Sequence, residues 1–123
     1  MVEISDEEFN VLINSALASL PGEHIKRIEN VAIILEDEPT PEQRIKLNLR
    51  PGETLYGLYE GVPLSQRQGI APLLPDKITL FKNPLSSHAN GIGELKEEIR
   101  HTLWHEIGHY YGLDHKRIYE LEQ

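Results

Sequence analysis

The sequence contains no cysteine, and this absence excludes several kinds of chemistry at once. Disulfide bonds, cysteine-ligated zinc sites, iron–sulfur clusters and thiol nucleophiles all need the missing side chain. Any metal ion must therefore be held by histidine, aspartate or glutamate. Long apolar segments are lacking too, because the longest core-like run covers only residues 31–35, whereas a membrane span needs about 18 unbroken apolar residues.

Basic residues are scarce compared with acidic ones. The 123 residues include 12 Lys and Arg against 20 Asp and Glu, for a formal net charge of -8. Nucleic-acid phosphates and anionic lipid surfaces repel such a chain, so we expect neither nucleic acid nor a membrane as partner. The alternative is that the charge only keeps the domain soluble. The chain starts with acidic residues where a secretory signal needs basic ones, so we expect a cytoplasmic location.

The length and the hydrophobic pattern predict a single domain over residues 1–123, of the α+β class. Ser5 and Glu8 form a capping-box pattern ahead of helix-spaced apolar residues, which predicts a helix over residues 6–20. A second long helix is predicted over residues 92–111. Between the helices, the composition predicts strands over residues 30–35, 55–59 and 77–81. We expect a small mixed sheet of three to four strands, packed with an N-terminal and a C-terminal helix.

The connecting segments carry weaker patterns. Residues 39–52 contain three prolines and predict mostly loop, with a short helix over residues 41–47 as the alternative. Residues 77–81 alternate polar and apolar side chains, which predicts a half-exposed strand at a sheet edge. Residues 84–93 predict a polar loop.

The last predicted helix carries the pattern HExxHxxGxxH, formed by His105, Glu106, His109, Gly112 and His115. Composition alone would produce it in roughly one such sequence in ten thousand, so chance does not explain it. His105 and His109 share a helical face and can bind one zinc ion, but a catalytic zinc site takes three protein ligands and an open position. His101 is roughly 12 Å of helix rise from His109, too far to share that ion. Gly112 favours a turn out of the helix, so that His115 can supply the third ligand.

A helical wheel separates the apolar face of this helix from its two histidines, which predicts that the histidines face a cleft. The apolar face contains Leu95, Ile99, Leu103, Ile107, Tyr110 and Tyr111. Glu106 stands beside the first ligand and cannot reach the same ion without distorting the helix. We therefore expect Glu106 to act as the catalytic general base, taking a proton from a zinc-bound water that attacks a carbonyl. A purely structural zinc site would have no use for this carboxylate.

The eleven-residue pattern resembles the zincin metallopeptidase signature in its metzincin form, and the small size resembles the minimal metalloprotease-like zincin family of bacteria. The resemblance covers nearly the whole chain, although only the motif is highly specific. It implies one zinc ion on His105, His109 and His115, with Glu106 as the base and a peptide or protein as the substrate. It also implies that an antiparallel edge strand, assigned to residues 77–81, lines the cleft and pairs with an extended peptide.

The sequence departs from metzincins below the zinc site. The only methionine is Met1, so a methionine turn after the third histidine is missing, and eight residues follow His115. We therefore expect a zinc peptidase of limited or specific activity. The alternatives are a zinc-bearing peptide-binding or regulatory module without significant turnover, and a hydrolase of a non-peptide amide or ester.

A few further side chains have both a functional and a structural interpretation. Glu98 and His101 either orient a ligand or are ordinary exposed helix residues. Asp114 is either an acceptor for a ligand or a turn residue. Tyr119 is either an oxyanion donor or, as we expect, a core residue. The composition leaves the oligomeric state and the native metal open.

Overall fold

The computed structural model describes residues 1–22, 31–61, 76–112, 116 and 120. Four helices and three strands follow one another in these residues. In chain order they are α1 (Asp6–Ser19), β1 (Val31–Glu36), α2 (Pro41–Lys46), β2 (Gly57–Glu60), β3 (Asp76–Phe81), α3 (Lys82–His88) and α4 (Ile92–Tyr110). The α+β class, with a three-stranded sheet, an N-terminal helix and a C-terminal helix, is therefore confirmed.

Helix α1 begins with the predicted capping box. The Glu8 main-chain N–H donates to Ser5 Oγ at 3.1 Å, and the Ser5 main-chain N–H donates to Glu8 Oε1 at 3.3 Å. These two bonds satisfy amide groups that have no partner within the helix. Phe9, Ile13 and Ala16 then form the buried face, in agreement with the predicted spacing.

The short helix considered for residues 41–47 is present as α2. Thr40 and Gln43 form a second capping box, and Pro41 occupies the first turn, where a missing amide hydrogen costs nothing. The Gln43 side-chain amide donates to Glu60 Oε1 at 3.2 Å, which ties α2 to the end of β2.

The sheet has the order β1-β3-β2, with β1 parallel and β2 antiparallel to the central strand. The prediction that residues 77–81 form a half-exposed edge strand is therefore wrong, and so is their assignment as the strand that lines the cleft. Both faces of β3 are covered, because Ile78 and Thr79, which point to opposite faces, are each 1% exposed. An alternating pattern cannot reveal that the polar-looking face is buried, since threonine fits either environment. The edge strand next to the motif helix is β2.

Two segments differ from their predicted boundaries by more than one residue. Strand β2 begins at Gly57 rather than at residue 55. The prediction of a polar loop over residues 84–93 is wrong for residues 84–88, which belong to helix α3. Pro84 is compatible with this helix because it stands in the first turn.

Helix α4 packs against α1, β2 and β3, and its predicted apolar stripe lies in the core. The fully buried members are Leu95, Ile99, Leu103 and Tyr110, with Ile107 at 2% exposure. None of the helices in the described part of the chain is long and apolar enough to cross a membrane.

Candidate metal centre

His105 and His109 lie one turn apart on α4, and both side chains are half-buried. Their Nε2 atoms are 3.2 Å apart, and the two rings meet nearly at right angles. Two imidazoles on one tetrahedral zinc ion, with bonds of about 2.0–2.1 Å, would hold these nitrogens about 3.3–3.4 Å apart. The pair therefore fits a zinc ion in both chemistry and spacing.

Glu106 lies beside the two histidines and is buried, with an exposed fraction of 8%. Together, His105, Glu106 and His109 form a group able to hold a metal ion, with ligand atoms within 4.8 Å of one another. Burial raises the pKa of Glu106 to about 7, although the Tyr59 main-chain N–H acts in the opposite direction. That amide donates to Glu106 Oε1 at 2.9 Å. The carboxyl group of Glu106 is therefore shielded from water, and one of its two oxygens is fixed by a hydrogen bond from the Tyr59 main chain.

Helix α4 ends as the sequence predicts. Gly112 has a φ of 86°, in the left-handed region that favours glycine, and its N–H donates to the His109 carbonyl oxygen at 2.9 Å. This left-handed residue follows the end of the helix, three positions after the second histidine. His115, the predicted third ligand, lies outside the described residues together with Asp114 and Tyr119, so their roles stay predictions.

Other predicted candidates lie apart from this group. In the described residues, the cluster able to hold a metal ion includes neither Glu98 nor His101. His101 is exposed and Glu98 is half-buried. His88, which is not among the predicted site residues, is exposed on α3, where its ring lies 5.5 Å from that of Tyr56.

Tyr59 and Asp76 are the residues that sequence reasoning does not find. The Tyr59 hydroxyl donates to Asp76 Oδ2 at 2.5 Å, while its main-chain N–H holds Glu106. Asp76 is 2% exposed. Buried carboxylates need partners, but the sequence does not reveal that Asp76 is buried, so it carries no signal for this contact.

The close approach of β2 to α4 requires a residue without a side chain at position 57, which is Gly57. A Cβ atom there would lie 2.5 Å from Thr102 Cγ2 of α4, closer than such atoms can approach. Glycine therefore allows the edge strand to lie directly against the motif helix, which brings the Tyr59 amide within reach of Glu106.

Comparisons with known proteins identify a family and a similar fold. A family described as zincin-like metallopeptidase matches residues 28–123, and the chain belongs to this family. A structure of a conserved hypothetical protein from T. thermophilus is similar in fold, with a TM-score of 0.58 and 19% sequence identity. The similarity covers 88% of this chain and 94% of that one. No curated protein matches the sequence.

Proposed function

We propose that the protein is a zinc-dependent metallopeptidase in which His105, His109 and His115 hold the metal and Glu106 is the general base. One observation carries this proposal: the two histidine Nε2 atoms are at zinc-ligand spacing with a buried carboxylate beside them. Membership of the zincin-like metallopeptidase family supports it. A bound zinc ion would polarise the scissile carbonyl and make the attacking water more acidic.

The contact with Tyr59 suits Glu106 for proton transfer. Its Oε1 accepts from the main-chain N–H, which leaves Oε2 to take the proton of the attacking water. The protonated Glu106 can then donate the same proton to the amine that leaves when the peptide bond breaks. Burial raises the pKa of Glu106 to about 7 in the metal-free protein, so this carboxyl group takes up a proton more readily than an exposed glutamate does.

We propose an extended peptide segment as the substrate, aligned along the edge of β2. This strand is the edge of the sheet on the side of α4, and its Tyr59 contacts the proposed base. A sheet edge binds peptide backbones through main-chain hydrogen bonds, independently of most side chains. Since the Tyr59 N–H donates to Glu106, the peptide would pair with the other outward-facing main-chain groups of β2.

The test is cleavage of a diverse peptide library by protein carrying one zinc ion per chain. Glu106→Ala, loaded to the same zinc content, is the paired variant, and His88→Ala is the matched control for removal of a side chain away from the site. We expect products from the native protein and from His88→Ala, and none from Glu106→Ala. Products from all three proteins would contradict the role of Glu106.

Two other outcomes would favour the alternatives. Retention of peptides without products, equal in the native protein and Glu106→Ala, would indicate a peptide-binding or regulatory module. Hydrolysis of small amides or esters without peptide cleavage would indicate a non-peptide substrate. Either result would overturn the peptidase proposal.

A further inference from the structure

The hydrogen-bonding phase of β2 determines which of its amides face outward. The Phe81 N–H donates to the Tyr56 carbonyl oxygen at 2.9 Å, so these opposite residues form a hydrogen-bonded pair. Such pairs alternate along antiparallel strands, and Tyr59 opposite Ile78 is therefore a non-bonded pair. The N–H of Tyr59 points away from β3. It is this outward amide that donates to Glu106 Oε1.

The side chain of Tyr59 is held by contacts with Asp76 and Tyr110. Its hydroxyl donates to Asp76 Oδ2 at 2.5 Å, and its ring meets that of Tyr110 edge-on at 6.2 Å. Asp76 lies diagonally across the strand pair, where a long side chain can reach. The carboxyl of Asp76 is in turn enclosed by Gly61, because a Cβ there would overlap Asp76 Cγ.

We infer that Tyr59, anchored by Asp76, is the positioning residue for Glu106. The inference rests on the proposed function, because it assigns Tyr59 a role in the reaction that Glu106 would perform. Tyr59 acts through its main chain: it holds one carboxylate oxygen, and the other oxygen is thereby directed to the reacting atoms. A glutamate side chain has three rotatable bonds, and holding it in one geometry lowers the cost of reaching the transition state.

The phenol of Tyr59 is not itself the reacting group. Its hydroxyl donates its hydrogen to the buried Asp76, so the hydrogen is not directed towards a substrate oxygen. The loss of this hydroxyl should therefore act on Glu106 indirectly, by loosening the end of β2.

The first test needs no catalysis. Hydrogen exchange of the Tyr59 amide is measured in the metal-free native protein and in Glu106→Ala, Tyr59→Phe and Tyr56→Phe. We expect the Tyr59 amide to be protected from exchange in the native protein and in Tyr56→Phe. The latter is the control, because it removes a phenolic hydroxyl from the residue directly before β2. Exchange should be at least about tenfold faster in Glu106→Ala and in Tyr59→Phe. Unchanged exchange at Tyr59 in either variant would overturn the inference.

The second test separates positioning from general stability. Tyr59→Phe should lower kcat by about 10- to 100-fold, while KM and zinc affinity stay close to native values. Replacing the Tyr59 amide by an ester, with the α-hydroxy analogue of tyrosine, removes the N–H donor, weakens the Leu58 carbonyl oxygen as an acceptor, and should lower kcat at least as much. A native kcat in the ester variant would overturn the inference, even if Tyr59→Phe fails to fold.

The two proposals fail in different ways. If the native protein cleaves no peptide but its Tyr59 amide loses protection in Glu106→Ala and Tyr59→Phe, the peptidase proposal is wrong and the positioning contact stands. If peptides are cleaved and exchange at Tyr59 is the same in all variants, the peptidase proposal stands and the positioning role is wrong.

Discussion

The main-chain N–H of Tyr59 on strand β2 donates a 2.9 Å hydrogen bond to Oε1 of Glu106 on helix α4, across 47 positions of sequence. This bond joins the sheet edge to the HExxH segment. It also gives the buried carboxyl group of Glu106 a hydrogen-bond partner, which a buried polar group needs.

Removal of one histidine should abolish tight metal binding. Loss of residues that only orient a metal ligand lowers affinity by about 10- to 100-fold, so His105→Ala should lower zinc affinity by more than about 100-fold. His88→Ala removes an exposed histidine outside the cluster and should leave affinity unchanged. Competition with a chromogenic chelator measures both. Equal affinities for the two variants would contradict the assignment of His105.

The stability of the metal-free protein should fall between pH 5 and pH 8 because of Glu106. Its pKa is raised to about 7 in the folded chain from 4.5, so the folded state holds the proton more tightly than the unfolded state. The resulting stabilisation is fully present below pH 4.5 and is lost as the pH rises through 7. Relative to Glu106→Gln, the native protein should lose roughly 2–3 kcal/mol over this interval. Urea unfolding with a chelator present tests this, and parallel pH profiles would contradict it.

A methyl group at Gly57 should push β2 away from α4. Gly57→Ala places a Cβ at 2.5 Å from Thr102 Cγ2, and we expect a loss of about 1–3 kcal/mol in the free energy of unfolding. Thr102→Ser removes that methyl group, so the double variant should recover a large part of the loss. Denaturant unfolding of the two single variants and the double variant gives the coupling energy. Additive effects would show that the two positions do not interact.

Gly61 should tolerate alanine poorly, for two reasons that act together. Its φ is 156°, and a Cβ would collide with the carboxyl group of Asp76. We expect Gly61→Ala to cost about 1–3 kcal/mol of stability. Gly93→Ala, in the first turn of α4 with open space around the added methyl, should instead stabilise by up to about 1 kcal/mol. Thermal unfolding compares the two, and a neutral Gly61→Ala would contradict the crowding seen there.

The local features of the fold can be predicted from the sequence. Helix α1 follows from the capping box at Ser5, and α4 follows from its apolar spacing, because helical periodicity depends on neighbours three and four residues away. The end of α4 at Gly112 follows from the conformational freedom of glycine. Helix α3 is not predicted, because Pro84 suggests a loop unless its place in the first turn is known.

Long-range pairing cannot be predicted in the same way. The pattern of residues 77–81 predicts a sheet edge, whereas β3 is the central strand, paired with β1 on one side and β2 on the other. Residues that meet across strands are far apart in sequence, and no local pattern specifies which strands become neighbours. The contact between Tyr59 and Asp76 escapes prediction for the same reason.

The amino-acid order alone places His105 and His109 on one helical face, because residues four apart always share a face in an α-helix. Tertiary packing settles which strand borders Glu106, how deeply this carboxyl is buried and which amide holds it. Helical spacing is a local property of the chain, whereas burial and strand contacts arise only when distant segments pack together.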